Sequence, residues 1–431
     1  MSQGPSTCSG IQLTVARYSL FWLLAANVVG VWLSWLLVYP QANDWLAPLS
    51  YGRWMPLHMD WHLYGWSSLP LLGMLMVQYW DVSERGVAKV GLVYALWSSA
   101  LIVGAMGWLS GEVTGKPFLN WFGWGRGYFV VVLFVLWGIC AWGWLSRWRK
   151  RSEGEMSISK LWVLGGVTAC LFLVPVALYM TTDSTVYPPV DPDSGGATGH
   201  SLLASTLGIV MVMGAIPGWG LRLPVGDVVG RRKVVFVLAL CVCWILYFLI
   251  GHGNASNRDW DQIIGLGSLL FWPFIVAWFW GAFEWSEASR LWRYSFFFWW
   301  GLLALNGWVI FLPGVLDVLK FTNGLVAHSH LAMAGMVSAM NMVLLIELGG
   351  AGRMRALLSR RHLVVVWNVS VFLYVVLMFW QGVREGKNPG VLFCENQLTE
   401  VLYFGRLLVG VAMMVCSGIW WWNSLKEEDR V

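Results

Sequence analysis

Charged residues are scarce in this chain: Asp, Glu, Lys and Arg make up 12% of it, against 58% apolar residues. That balance leaves too little polar surface to cover a water-soluble fold and excludes that class. Cysteine offers no framework either. None of the seven cysteines forms a CxxC pair or a CxxCH haem-attachment motif, and most, such as Cys140, Cys170, Cys241 and Cys243, lie in apolar runs. Disulfide stapling and covalent haem are therefore not expected. The opening stretch MSQGPSTCSGIQLTVARYSL lacks the basic, apolar, small-residue order of a cleavable signal, so the first apolar run is expected to remain as a helix. No repeat of fixed period is visible. The formal net charge of +5 comes from basic residues in short segments between apolar runs, which argues against nucleic-acid binding.

What the chain has in abundance is apolar runs of bilayer length. Spans are expected near 17–39, 58–80, 88–109, 127–146, 160–180, 200–217, 233–251, 262–283, 291–312, 327–348, 363–381 and 401–423. Each runs about 17–25 residues, as a helix crossing a hydrocarbon core requires. The expected fold class is all-α: a polytopic membrane protein of about twelve transmembrane helices. One domain would cover 17–423, with cytoplasmic tails at 1–16 and 424–431. The 33 tryptophans suit interfacial belts and packing inside the spans. Most of the 28 Lys and Arg residues fall in the amino-terminal tail and after the even-numbered spans, in RWRKR (147–151), RRK (231–233) and RMRALLSRR (353–361) among others. The positive-inside rule then puts both termini in the cytoplasm and the loop TTDSTVYPPVDPDSGGATG outside.

The densest chemistry lies in FTNGLVAHSHLAMAGMVSAMNMVLLIE (321–347). At about 100° per residue, His328 and His330 point about 200° apart on a helix, so they serve two partners on opposite faces better than one metal. One helix could thus stand between two haems, since neutral imidazole is a common axial ligand and is costly to leave unpaired in a bilayer. By depth, His58, His200, His252, His328 and His330 all reach the same outer layer. His62, one turn inward of His58, belongs there without an evident task, whereas His362 is an ordinary loop residue on the cytoplasmic side. Such clustering points to haem or metal ligation, the alternative being a water-filled vestibule lined by histidines.

This pattern resembles subunit I of the haem–copper oxidase superfamily over nearly the whole chain, closest to the cbb-type cytochrome c oxidases and the large subunit of nitric oxide reductases. The His-x-His of the tenth span resembles the family's pair, which implies that His328 serves a high-spin haem and His330 a low-spin haem. GRWMPLH (52–58) resembles the approach to the family's second low-spin ligand, which implies His58 for that role and Arg53 for haem propionates. SGGATGHSLLASTLG (194–208) resembles the copper-binding segment, implying His200 as a metal ligand. WILYFLIGHGN (244–254) offers Tyr247 for the family's redox-active tyrosine and His252 for the copper site.

The chain also departs from that family. Where adjacent histidines complete a three-histidine copper site, it has His252 followed by Gly253 and Asn254. Two imidazoles would need water, Asn254 or His62 as a further ligand, with weaker affinity. FLPG (311–314) lacks the glutamate of the nitric oxide reductases, and Glu284 and Glu287 face the cytoplasm. In SGEVTGKPFLNW (110–121), Pro117 and Asn120 replace the family's calcium-binding acids. Lys116, Arg126, Arg384 and Arg406 are further candidates for propionate partners, or equally for interfacial anchors. Ser205, Thr206 and Ser338 are polar helix residues that could serve proton uptake, or simply pack.

The resemblance implies a terminal oxidoreductase of the bacterial inner membrane with two b-type haems, one low-spin and one high-spin, and copper in doubt. It would reduce dioxygen to water with electrons from a c-type cytochrome subunit or soluble cytochrome c, beside other small membrane subunits and membrane lipid. The rivals are nitric oxide reduction at the same haem pair, and a degenerate member that keeps haem for electron transfer, sensing or assembly.

Overall fold

The computed structural model describes residues 9–81, 83–153, 156–218, 228–349, 353–388 and 396–426. Of the expected tails, residues 1–8 and 427–431 lie outside the described residues. The chain begins with α1 (Ser9–Val38), the short α2 (Ala42–Trp45), α3 (Tyr51–Asp60), α4 (Leu69–Tyr79), α5 (Glu84–Ser110), α6 (Gly123–Arg149) and α7 (Ile158–Thr181). It continues through α8 (Gly199–Ile216), α9 (Val228–Leu249), α10 (Trp260–Gly267), α11 (Trp272–Trp280), α12 (Arg290–Phe311) and α13 (Val315–Leu319). It ends with α14 (Asn323–His330), α15 (Ser338–Leu348), α16 (Arg353–Leu358), α17 (Arg361–Lys387) and α18 (Gln397–Leu425). Among the described residues, 11 helical runs are long and apolar enough to cross a membrane, and no strand forms.

The helix expected at 58–80 is divided. α3 passes into a π-helical segment, Trp61–Ser67, and then into α4. Pro70, at the start of α4, has no N–H to give to the preceding turn. The wider turn leaves carbonyls without their helical donors, and serine hydroxyls reach back five residues to supply them: Ser67 to His62 at 2.9 Å and Ser68 to Leu63 at 2.8 Å. The tenth span has the same interruption. A π segment, Leu331–Val337, separates α14 from α15, and Ser338 donates to the Met333 carbonyl at 2.8 Å. Ser338 therefore closes a turn in addition to being a polar residue inside an apolar span.

The ends also differ from expectation. α1 starts at Ser9, inside the expected tail 1–16, because Ile11 and Val15 lie on one helical face and are both buried. The last helix reaches Leu425, past the expected 423. Arg17 caps it, donating from Nε to the Ser424 carbonyl at 3.1 Å, so one orphan carbonyl of the helix end is satisfied by a side chain.

Two compact units divide the chain. The first comprises 1–187, 344–358 and 413–431, and α1 packs in it against α3, the first π segment, α4 and α5. Several of its tryptophans bond or stack inside it: Trp22 donates to Ser98 at 3.0 Å, Trp108 to the Asn120 carbonyl at 2.9 Å, and Trp121 stacks on Phe129 at 4.2 Å. The second comprises 188–343 and 359–412, with α14 on α17 and α12 on the second π segment. There, too, indoles bond inside the protein, Trp280 to the Met213 carbonyl at 2.9 Å and Trp299 to Asn368 at 2.6 Å.

Candidate functional site

α1 seats the His58 ring. Nδ1 donates to the Ala26 carbonyl at 2.9 Å, and the imidazole fills the space over Gly30, where a Cβ would come within 2.7 Å of Cε1. With the proton held on Nδ1, the lone pair of the neutral ring is on Nε2, the tautomer a metal ligand needs. His62 stands edge-on to His58 with ring centroids 4.8 Å apart, on the same face, as one-turn spacing requires.

α14 presents its two histidines to different helices. His328 donates from Nδ1 to Asn306 Oδ1 of α12 at 2.9 Å and lies over Gly307, where a Cβ would meet Cε1 at 2.9 Å. His330 donates from Nδ1 to the Val326 carbonyl at 2.8 Å and packs on Tyr374 of α17 at 4.9 Å between centroids. An apolar groove of about 340 Å³ runs between α12, the π segment and α17, and Asn306, the partner of His328, lines it beside Trp299, Leu305, Phe372 and Phe379.

His200, Tyr247 and His252 come together. Ring centroids are 5.0 Å apart for the two histidines, 4.9 Å for Tyr247 and His252, and 6.5 Å for Tyr247 and His200. Gln262 ties the site together, accepting from the His200 backbone N–H at 3.0 Å and donating to the Gly251 carbonyl at 2.9 Å. His200 Nδ1 is buried with no hydrogen-bond partner among the described residues, while His252 is exposed. Asn254 is committed elsewhere, since its Oδ1 accepts from the Val190 N–H at 3.0 Å. Among the described residues, no group of three or more His, Cys, Asp or Glu side chains could hold a metal. The donor set therefore falls short of a three-ligand copper site. Lys320, just ahead of α14, donates to the Ser194 carbonyl and so links the approach to His328 with the loop before His200. Burial there pushes its ammonium below the ordinary lysine range, against the pull of Asp191.

The cations divide sharply. Lys116 is removed from the propionate candidates: its ammonium donates to the carbonyls of Thr181 at 2.8 Å, Asp183, and Val186 at 2.5 Å, which uses all three protons. Arg126 covers the Tyr179 ring at 4.2 Å, and Arg384 bonds Gln381, Thr399 and Asn396. Arg406 is buried, donates to Asn323 Oδ1 at 2.7 Å and lies 5.5 Å from the Tyr374 ring centre. Arg53 occupies the space over Gly111, whose φ is +94°. Gly111→Ala would combine left-handed backbone strain with a collision against the guanidinium. A loss of about 2–3 kcal/mol is expected in thermal unfolding of the detergent-solubilised protein.

Two acids were missed by reading the sequence. Asp60 is buried, accepts from Asn120 at 2.8 Å through Oδ2, and its Oδ1 has no hydrogen-bond partner among the described residues. Glu385, also buried, accepts from the Asn323 backbone N–H at 2.7 Å and its side-chain amide at 2.6 Å, at the first residue of α14. The cost of a carboxylate within or beside an apolar span would have singled out both.

The helices and their composition define a polytopic membrane protein with imidazoles positioned from neighbouring helices. Compared with protein-family models and with curated proteins, the chain finds no match in either.

Proposed function

We propose that the chain is a haem-binding membrane oxidoreductase that reduces dioxygen to water with electrons from a c-type cytochrome. The observation that carries this reading is the anchoring of three imidazoles. His58, His328 and His330 each donate from Nδ1 at 2.8 or 2.9 Å, which assigns the lone pair to Nε2. The glycine cradles of His58 and His328 add fixed ring orientation, so the residues present fit haem ligation. On the sequence resemblance, His58 and His330 would serve a low-spin haem b, and His328 a high-spin haem b. Haem, when bound, would supply one-electron chemistry.

The protein's own part is to hold and orient. Asn306 fixes the tautomer and plane of His328, and the Ala26 carbonyl does so for His58. The resemblance assigns Arg53 to propionate carboxylates, with Arg406 a further candidate. Each dioxygen takes up four electrons and four protons to give two waters, and Tyr247 brings a phenolic proton beside His252. His200 and His252 are the two imidazoles that stand together there, and two donors alone would hold copper weakly. With the charge pattern read as positive-inside, the histidine layer faces outward from a bacterial inner membrane with both termini cytoplasmic.

The same shortfall favours a second reading, a family member that keeps haem for electron transfer, sensing or assembly without turnover. Iron and copper per chain, a pyridine haemochrome spectrum and oxygen consumption separate the two. Two haems with cytochrome-dependent oxygen uptake support the oxidase, two haems without turnover support the second reading, and protein without haem sinks both. His328→Ala is expected to lose the high-spin signal and keep the low-spin one.

A further inference from the structure

The two histidine-bearing helices share more than a histidine. His58, Gly65 and Ser68 recur as His328, Gly335 and Ser338, each 270 residues on, and the π segments Trp61–Ser67 and Leu331–Val337 keep that same offset. Each of these glycines receives a tryptophan from the neighbouring helix: a Cβ at Gly65 would lie 2.8 Å from Trp22, and one at Gly335 would lie 3.0 Å from Trp299. Eight residues beyond each tryptophan, on that same neighbouring helix, stands the glycine that cradles the imidazole: Gly30 after Trp22 and Gly307 after Trp299. The serine hydroxyl closes the widened turn at 2.8 Å in both copies, on Leu63 and on Met333.

A π turn persists only where something satisfies the carbonyls it releases and something packs its wider rim. Here the serine does the first and the tryptophan on glycine the second. If the turn relaxed to α-helix, the segment before it would rotate by about 100° and slide about 1.5 Å against the segment after it. Either change would take the imidazole off its cradle and its Nδ1 partner.

We infer that Ser68 and Ser338 are positioning residues for the imidazoles of their own helices, Ser68 for His58 and Ser338 for His328 and His330. This rests on the haem reading above for its spectroscopic readout. The test uses the full chain with Ser68→Ala, Ser338→Ala, and the matching Thr variants, which retain a hydroxyl. Redox titration is followed separately at the low-spin and high-spin haem bands. Ser68→Ala is expected to shift the potential of the low-spin haem alone and weaken its retention about tenfold, and Ser338→Ala, whose turn follows the helix that carries both His328 and His330, to do so for both haems. The Thr variants restore both. A change at the high-spin haem in Ser68→Ala, at only one haem in Ser338→Ala, or at neither haem in either variant overturns the inference. Wild-type protein without haem would sink the haem reading instead, and amide exchange in that unliganded protein then decides. Exchange about fivefold faster across 63–72 in Ser68→Ala and across 333–342 in Ser338→Ala upholds the positioning role, and unchanged rates overturn it.

Discussion

Lys116→Met is expected to cost about 3–5 kcal/mol of stability, measured by thermal or denaturant unfolding in detergent. The methionine keeps the length of the stem and its packing, so the loss isolates the ammonium. That group holds the carbonyls of Thr181, Asp183 and Val186 together at the end of α7 and sits 5.0 Å from the Tyr187 ring centre. Lys116 is buried, and each hydrogen bond from a charged group to these part-buried carbonyls is worth about 1.5–3 kcal/mol. Lys116→Arg is not a rescue. A planar guanidinium spreads its N–H groups in one plane, whereas three carbonyls converge here on a compact ammonium. An unfolding midpoint unchanged in Lys116→Met would show the loop to be held by something else.

The second large effect belongs to Glu385. Glu385→Ala should destabilise by about 3–5 kcal/mol, because it removes the acceptor for the Asn323 N–H and amide and leaves the buried Arg406 next to Asn323 without the carboxylate beyond it. Gln381 also donates to this carboxylate, at 3.0 Å. The approach of the two helices is close enough that a Cβ at Gly382 would lie 2.1 Å from the Gly324 nitrogen, so the start of α14 has little room to settle elsewhere. Glu385→Gln keeps one acceptor oxygen and should recover about half the loss, whereas a change confined to surface electrostatics would vanish at high salt in both variants.

The apolar runs were legible in the chain because the requirement for a membrane span is local: enough consecutive apolar residues and a helix that satisfies its own backbone. Twelve spans were expected on that ground, and among the described residues eleven helices meet the requirement. The spacing of His328 and His330 likewise dictated two different neighbours, and the structure supplies Asn306 and Gly307 for one and Tyr374 for the other. The grouping of His200, Tyr247 and His252 was expected from resemblance rather than from any rule of composition, and their rings do stand together.

What escaped sequence reading has a common physical character. The interruption of 58–80 depends on hydroxyls of Ser67 and Ser68 reaching back five residues, a choice that competes with ordinary helix only once Trp22 fills the space at Gly65. The recurrence of His, Gly and Ser at a 270-residue offset has too few identities to register as a repeat until the packing shows what each is for. Lys116 could not be told from a propionate partner, because the carbonyls that claim it lie about 65–70 residues away in sequence and converge only in the folded loop. The sequence alone determined a helical membrane protein and singled out the histidines within its apolar runs, since hydropathy and helical spacing act within a single segment. Only the tertiary structure decided which polar group each buried donor meets, because a hydrogen bond in an apolar interior is set by the neighbouring helix.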